Sequence, residues 1–152
     1  MNGRLITRDQ RLCCAMVDRV FIGVCGERVI SDASWIEFLD NGDVLAERCG
    51  FAHATLTFVP YASVSPYQRR LAAERTRTKP ALRNALLSSS AAVRIAMNSV
   101  AKLLFGKIPY RAFRPEESRI AFEWLREECS FDVEAALREF EELCRACGID
   151  RL

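Results

Sequence analysis

The chain has 152 residues, half of them hydrophobic and 28% charged, with a formal net charge of +2 at pH 7. That length suits one domain whose core needs neither disulfides nor metals, the balance argues against extensive disorder, and the small net charge requires no polyanion partner. No apolar run approaches the roughly 20 residues that span a bilayer, so no membrane is expected either.

The start, residues 1–10, carries Arg4 and Arg8 with no apolar stretch long enough for a secretion signal, and reads as a mobile N-terminal arm to a single domain over 11–152. Leu12 to Val17 and Arg19 to Cys25 are apolar runs and read as neighbouring strands, a hairpin whose Asp18-Arg19 turn lacks the glycine a tight turn prefers. Ser31 then caps a helix carrying Trp35, Phe38 and Leu39. Asn41-Gly42 ends or interrupts that helix, and Val44 to Cys49 can resume it.

Ala54 to Val59 is rich in β-branched and aromatic residues and stops at Pro60, as a strand does. Ser65-Pro66 supplies an N-cap and an N1 proline for a helix to about Arg77, broken by Lys79-Pro80. Ala85 to Leu87 is short and wholly apolar, as a central parallel strand should be. A helix striped with Val93, Met97, Val100 and Leu104 follows, Gly106 stops it, and Ile108 to Phe113 is the last strand. Strand, helix and strand in that order form a parallel crossover. The expected class is α/β, with a small, mostly parallel or mixed sheet of four to five strands flanked by helices. Pro115-Glu116-Glu117 opens a further helix whose expected buried face is Ile120, Ala121, Trp124 and Leu125. A final helix over 130–147 carries Val133, Ala136, Leu137, Phe140 and Cys144 on one stripe, with Gly148 as its C′ residue.

The seven cysteines (Cys13, Cys14, Cys25, Cys49, Cys129, Cys144 and Cys147) show no framework spacing, and several sit in apolar runs. Buried free thiols in a reducing cytoplasm account for them better than bridges do. Cys144-Arg-Ala-Cys147 has redox or half-zinc spacing, but at a helix carboxyl end, where the dipole opposes a thiolate, so it reads as core. His53 is the only histidine, and no nucleophile motif accompanies it. No catalytic residue, metal ligand or cofactor is expected.

From Arg19 to Leu125 the element order, with Ser89-Ser-Ala-Ala-Val-Arg94 and Arg111-Ala-Phe-Arg-Pro-Glu116 leading into Ala121-Phe-Glu-Trp-Leu125, resembles the STAS-like domains. These are the bacterial modules of sulfate-transporter and anti-sigma-factor-antagonist type. The resemblance implies a non-enzymatic regulator that binds protein partners, in some members switched by phosphorylation of a serine or threonine after a strand and an aspartate. Here the matching loop reads Pro60-Tyr-Ala-Ser-Val-Ser65 without an aspartate. Ser63 and Ser65 are the candidate phosphoacceptors, and Ser65 reads more simply as an N-cap.

Ser88, Ser89 and Ser90 lie between a strand's carboxyl end and a helix start, where N–H groups, hydroxyls and Arg94 one turn inside can cradle an anion. The competing reading is that one serine caps the helix while the others satisfy the departing chain. Charge is divided. Seven basic residues between Ser65 and Arg94 face Glu74 alone, whereas ten acids from Pro115 to Glu142 face only Arg119, Arg126 and Arg138. Such polarity suits an oppositely charged protein partner or head-to-tail self-association, unless the two segments face each other in the fold. Nucleic acid fits less well, since Tyr67 is the only aromatic of the basic segment. The expected function is therefore a non-catalytic cytoplasmic regulatory or scaffolding module acting through protein contacts. The alternative is a small-ligand, phosphate or nucleotide-binding domain built on Ser88 to Ser90.

Overall fold

The computed structural model describes residues 2–26, 29–60, 64–77 and 81–149, without the side chains of 99, 100 and 102–105. Ser63 and Lys79-Pro80 lie outside the described residues, as do the side chains of Val100 and Leu104. Among the described residues six strands form one sheet in chain order: β1 (Gly3–Ile6), β2 (Leu12–Val17), β3 (Val20–Cys25), β4 (Ala54–Phe58), β5 (Arg83–Leu87) and β6 (Tyr110–Phe113). The first three are antiparallel and the last four parallel. The helices are α1 (Asp32–Cys49), α2 (Pro66–Arg77), α3 (Ala91–Phe105), α4 (Ser118–Arg126), entered through a 3₁₀ turn at Pro115–Glu117, and α5 (Val133–Ala146). The chain is α/β, and the crossover from β5 through α3 to β6 is parallel, with Leu86 beside Ala112 and Leu87 beside Phe113.

Two expectations near the start are corrected. Residues 3–6 are not part of an arm: they form edge strand β1 on β2, which raises the strand count to six. Arg4 fastens it from above, donating to Glu139 at 2.6 Å and also to Glu142. A four-residue edge strand is too short for its own periodicity to register. The second concerns α1, which runs unbroken through Asn41-Gly42. Leu45 continues the buried stripe of Trp35 and Phe38, and that burial outweighs the roughly 1 kcal/mol cost of a helical glycine. The β2–β3 turn is a tight hairpin without glycine. Asp18 and Arg19 both take positive φ, +47° and +72°, as a type I′ turn requires. Arg19 is held there by its own groups: its carbonyl accepts from His53 N–H at 2.7 Å and its guanidinium donates to the Phe51 carbonyl.

Alternate residues of each strand divide the interior into two cores. On one side Val20, Ile22, Leu56, Phe58 and Leu87 meet α4 and α5 through Phe122, Leu125, Phe140 and Leu143. On the other, Leu12, Cys14, Met16 and Leu86 meet the three crossover helices α1, α2 and α3. Consecutive parallel strands stepping in one direction with crossovers of one hand place all three helices on that face.

Candidate functional site

A cavity of about 340 Å³ lies between the sheet and the layer of α1, α2 and α3. Above it α2 presents the small Ala72, Ala73 and Thr76, while its Leu71 packs on the core outside the lining. Phe38 of α1 and Val93 and Met97 of α3 wall the flanks. The sheet supplies the floor. Phe21, Thr55, Asn84 and Tyr110 are successive Cα partners across β3, β4, β5 and β6, all lining the cavity. Beyond this row the floor continues through Thr57, beside Leu86, to Val59. From Thr55 to Val59 the chain extends about 13 Å at about 3.3 Å per residue.

Asn84 is only 5% exposed. Its Oδ1 accepts the Thr55 hydroxyl at 2.5 Å and its backbone N–H donates to the Pro109 carbonyl at 3.0 Å. Its Nδ2 has no partner among the described residues. An unsatisfied buried donor costs about 1–3 kcal/mol, so the amide is poised for an acceptor. Burial pushes the Tyr110 phenol well above its ordinary value, so it stays neutral. On the wall, Arg75 pairs with Asp43 at 2.6 Å and Asp40 at 2.8 Å, two carboxylates to one guanidinium. Phe51 lines the cavity while 51% exposed, which marks an opening. Small-molecule sites are concave, mainly apolar spaces of about 300–1,000 Å³ with a few placed polar groups, and this cavity has those properties.

The serines foreseen from the sequence serve the backbone. Ser65 caps α2 reciprocally with Gln68: its hydroxyl accepts Gln68 N–H, and Gln68 Oε1 accepts Ser65 N–H, both at 3.1 Å. Ser90 caps α3 by accepting Val93 N–H at 3.2 Å, Ser88 is buried and accepts Ser90 N–H at 3.3 Å, and Ser89 is exposed. Arg94 turns back to donate to the Ser88 carbonyl at 2.6 Å. The structure thus brings Ser88, Ser90 and Arg94 together, with their groups directed at one another. Ser65 stands apart from them at the start of α2.

Cys13 and Cys147 correct the expectation of free thiols throughout: they are joined as a disulfide, Cα atoms 6.8 Å apart, tying β2 to the end of α5. Cys13 faces the α5 side of the sheet, an approach hidden in sequence by a separation of 134 residues. Cys14, Cys25, Cys49, Cys129 and Cys144 are free, and burial pushes the Cys14, Cys25 and Cys144 thiols up to about 12, far from thiolates at neutral pH. His53 is exposed ahead of β4. The described residues hold no cluster of three or more His, Cys, Asp or Glu placed for a metal ion, and no described helix is long and apolar enough to cross a membrane.

The two charged segments meet only in part, at Arg83, and their helices α2 and α5 lie on opposite sides of the sheet. Arg70 and Arg77 are exposed on α2, while Glu134, Glu141 and Glu142 are exposed on α5, across the sheet. Arg83 bridges the segments, donating to Glu127 at 2.7 Å and Glu128 at 3.2 Å with its guanidinium 4.7 Å from the Trp124 ring centroid. Sequence reading passed over Asn84, Thr55 and Tyr110. The available signal was a buried-strand context for a polar Asn84 together with Ala72-Ala73 on the helix above. Comparison with family models, curated proteins and solved structures returned no match.

Proposed function

We propose that the chain is a non-catalytic, cytoplasmic regulatory or scaffolding module of STAS-like type that works by binding a protein partner or a second copy of itself. The observation that carries this reading is the acidic run along α4 and α5, set across the sheet from a basic strip at Arg70 and Arg77 of α2 on a face whose α1 carries acids of its own. Opposite charge on opposite faces lets copies stack head to tail, or lets a charged partner dock, without like charges meeting, and it speeds encounter more than it tightens binding. The element order from β3 to α4 is the one on which the STAS-like resemblance rests. Ser65, at the positive end of α2 after β4, is where phosphate would enjoy the helix dipole, at the expense of the existing cap.

Light scattering across ionic strength, combined with affinity capture, tests the reading. Below about 50 mM salt, where screening is weak, the apparent mass should exceed the 17.2 kDa of one chain, or a captured partner should be retained. Either should be lost with added salt and in Arg70→Glu/Arg77→Glu. A strict monomer at every salt concentration with no captured protein overturns it. A second reading, small-ligand binding, is favoured by the cavity beneath α2 rather than by the serine turn.

A further inference from the structure

The cavity beneath α2 stands independently of any protein partner. We propose that it binds a small, neutral, mainly apolar molecule bearing one carbonyl-type acceptor, with that acceptor on Asn84 Nδ2 and the apolar body lying along Leu86, Val93 and Met97.

Three observations define the ligand. Asn84 is 5% exposed, lines the cavity and has an amide donor without a partner among the described residues. Its neighbour Thr55 does not relieve that donor, because the Thr55 hydroxyl sits on the other atom of the amide, donating to Asn84 Oδ1 at 2.5 Å. The ligand must therefore bring an acceptor. Second, the cation nearest the Asn84 row offers little to an anion, since Arg75 already pairs with Asp43 on the wall and with the exposed Asp40 outside it. An anionic head at the Asn84 row would be buried without a cation of its own. Arg69 also lines the cavity, but from the first turns of α2, toward the other end of β4. Third, apart from Thr57 and from Thr76, whose hydroxyl donates to the Ala72 carbonyl at 2.7 Å, the remaining lining is aliphatic and aromatic, and it is open at Phe51, which gives an apolar body both a binding surface and a way in.

The test is a methyl-NMR titration of the full chain with cyclohexanone, cyclohexane and, at pH 8, cyclohexanecarboxylate. Cyclohexanone should shift the methyls of Val59, Leu86, Val93 and Met97 and leave those of Leu125, Val133 and Leu143 unmoved. In Asn84→Leu the ratio of ketone to hydrocarbon affinity should fall about tenfold, the value of one hydrogen bond in a buried setting. Ala72→Leu, which fills the space from above and leaves Asn84 in place, should weaken both neutral probes at least tenfold while keeping the native methyl spectrum. Absence of shifts with saturating cyclohexanone overturns the proposal. So does an affinity ratio unchanged in Asn84→Leu, or cyclohexanecarboxylate as the tightest of the three. The readout is taken on the monomer at high salt, so neither result bears on the salt-dependent association proposed above.

Discussion

The two faces of the sheet are covered by different means. Under α4 and α5 the space is filled by aromatic rings: Phe140 lies 5.6 Å from Phe58 and 6.2 Å from Phe122, centroid to centroid, and Phe122 and Phe140 are wholly buried. Under α2 the residues over the cavity are small, Ala72, Ala73 and Thr76, with Leu71 packed on the core outside it, and the helix is held by polar links at its start. Gln68 Nε2 donates to the Ile30 carbonyl at 2.8 Å and to Asp32 at 2.9 Å, and Trp35 Nε1 donates to the Gln68 carbonyl at 2.9 Å. The contrast teaches a division of labour. One face supplies stability by packing, and the other accepts a less stable arrangement that leaves room for a guest.

Substitutions can break or sharpen that contrast. The largest effect is expected on the filled face, where Phe140→Ala should cost about 3–5 kcal/mol in denaturant unfolding. Met97→Ala, beside the cavity, should cost under about 2 kcal/mol because Met97 already has empty space for a neighbour. Equal costs would erase the distinction. Gln68→Ala should cost about 2–3 kcal/mol, since it leaves the Ile30 carbonyl and Ser65 N–H without their partners. A cost near zero there would show that α2 is held by something other than these links. Cap removal should be smaller and alike on both faces, about 1 kcal/mol each for Ser90→Ala on α3 and Asp132→Ala on α5.

The smallest effect is electrostatic. Burial raises the Asp9 carboxyl, but hydrogen bonds from the Ser34 and Thr7 hydroxyls and the Arg11 N–H more than offset it, leaving Asp9 below the ordinary carboxylate range. A depressed folded value stabilises above the unfolded value near about 3.9 and is lost as pH falls through the folded one. Asp9→Asn should therefore lower stability modestly at pH 7, change it little in strong acid where Asp9 is protonated anyway, and so flatten part of the acid limb below about pH 4. A slope unchanged below pH 4 would remove Asp9 from the account.

How much could be read from residues alone follows from what each feature depends on. The β5–α3–β6 crossover was legible because Ala85 to Leu87 is apolar throughout and the helix after it carries one stripe, patterns that stand on local sequence. Strand β1 was not, because four residues acquire their conformation from the edge of β2. The Cys13–Cys147 link depends on where α5 finally docks. The serine turn was foreseen, and the capping that occupies Ser90 follows from its position ahead of Ala91. Asn84 lies just ahead of the apolar run Ala85 to Leu87, yet inside the strand, which begins at Arg83. The cavity was the least legible feature of all, since empty space depends on what Ala72 and Ala73 do not supply to a sheet far away in sequence.

Xenon tests the hollow face most directly, because it enters apolar cavities without needing a hydrogen bond. In methyl spectra of the protein under xenon pressure, saturable shifts should appear at Val59, Leu86, Val93 and Met97 and be absent at Leu125, Val133 and Leu143. Shifts spread over both sets, or confined to the α4–α5 side, would contradict the difference between the two faces.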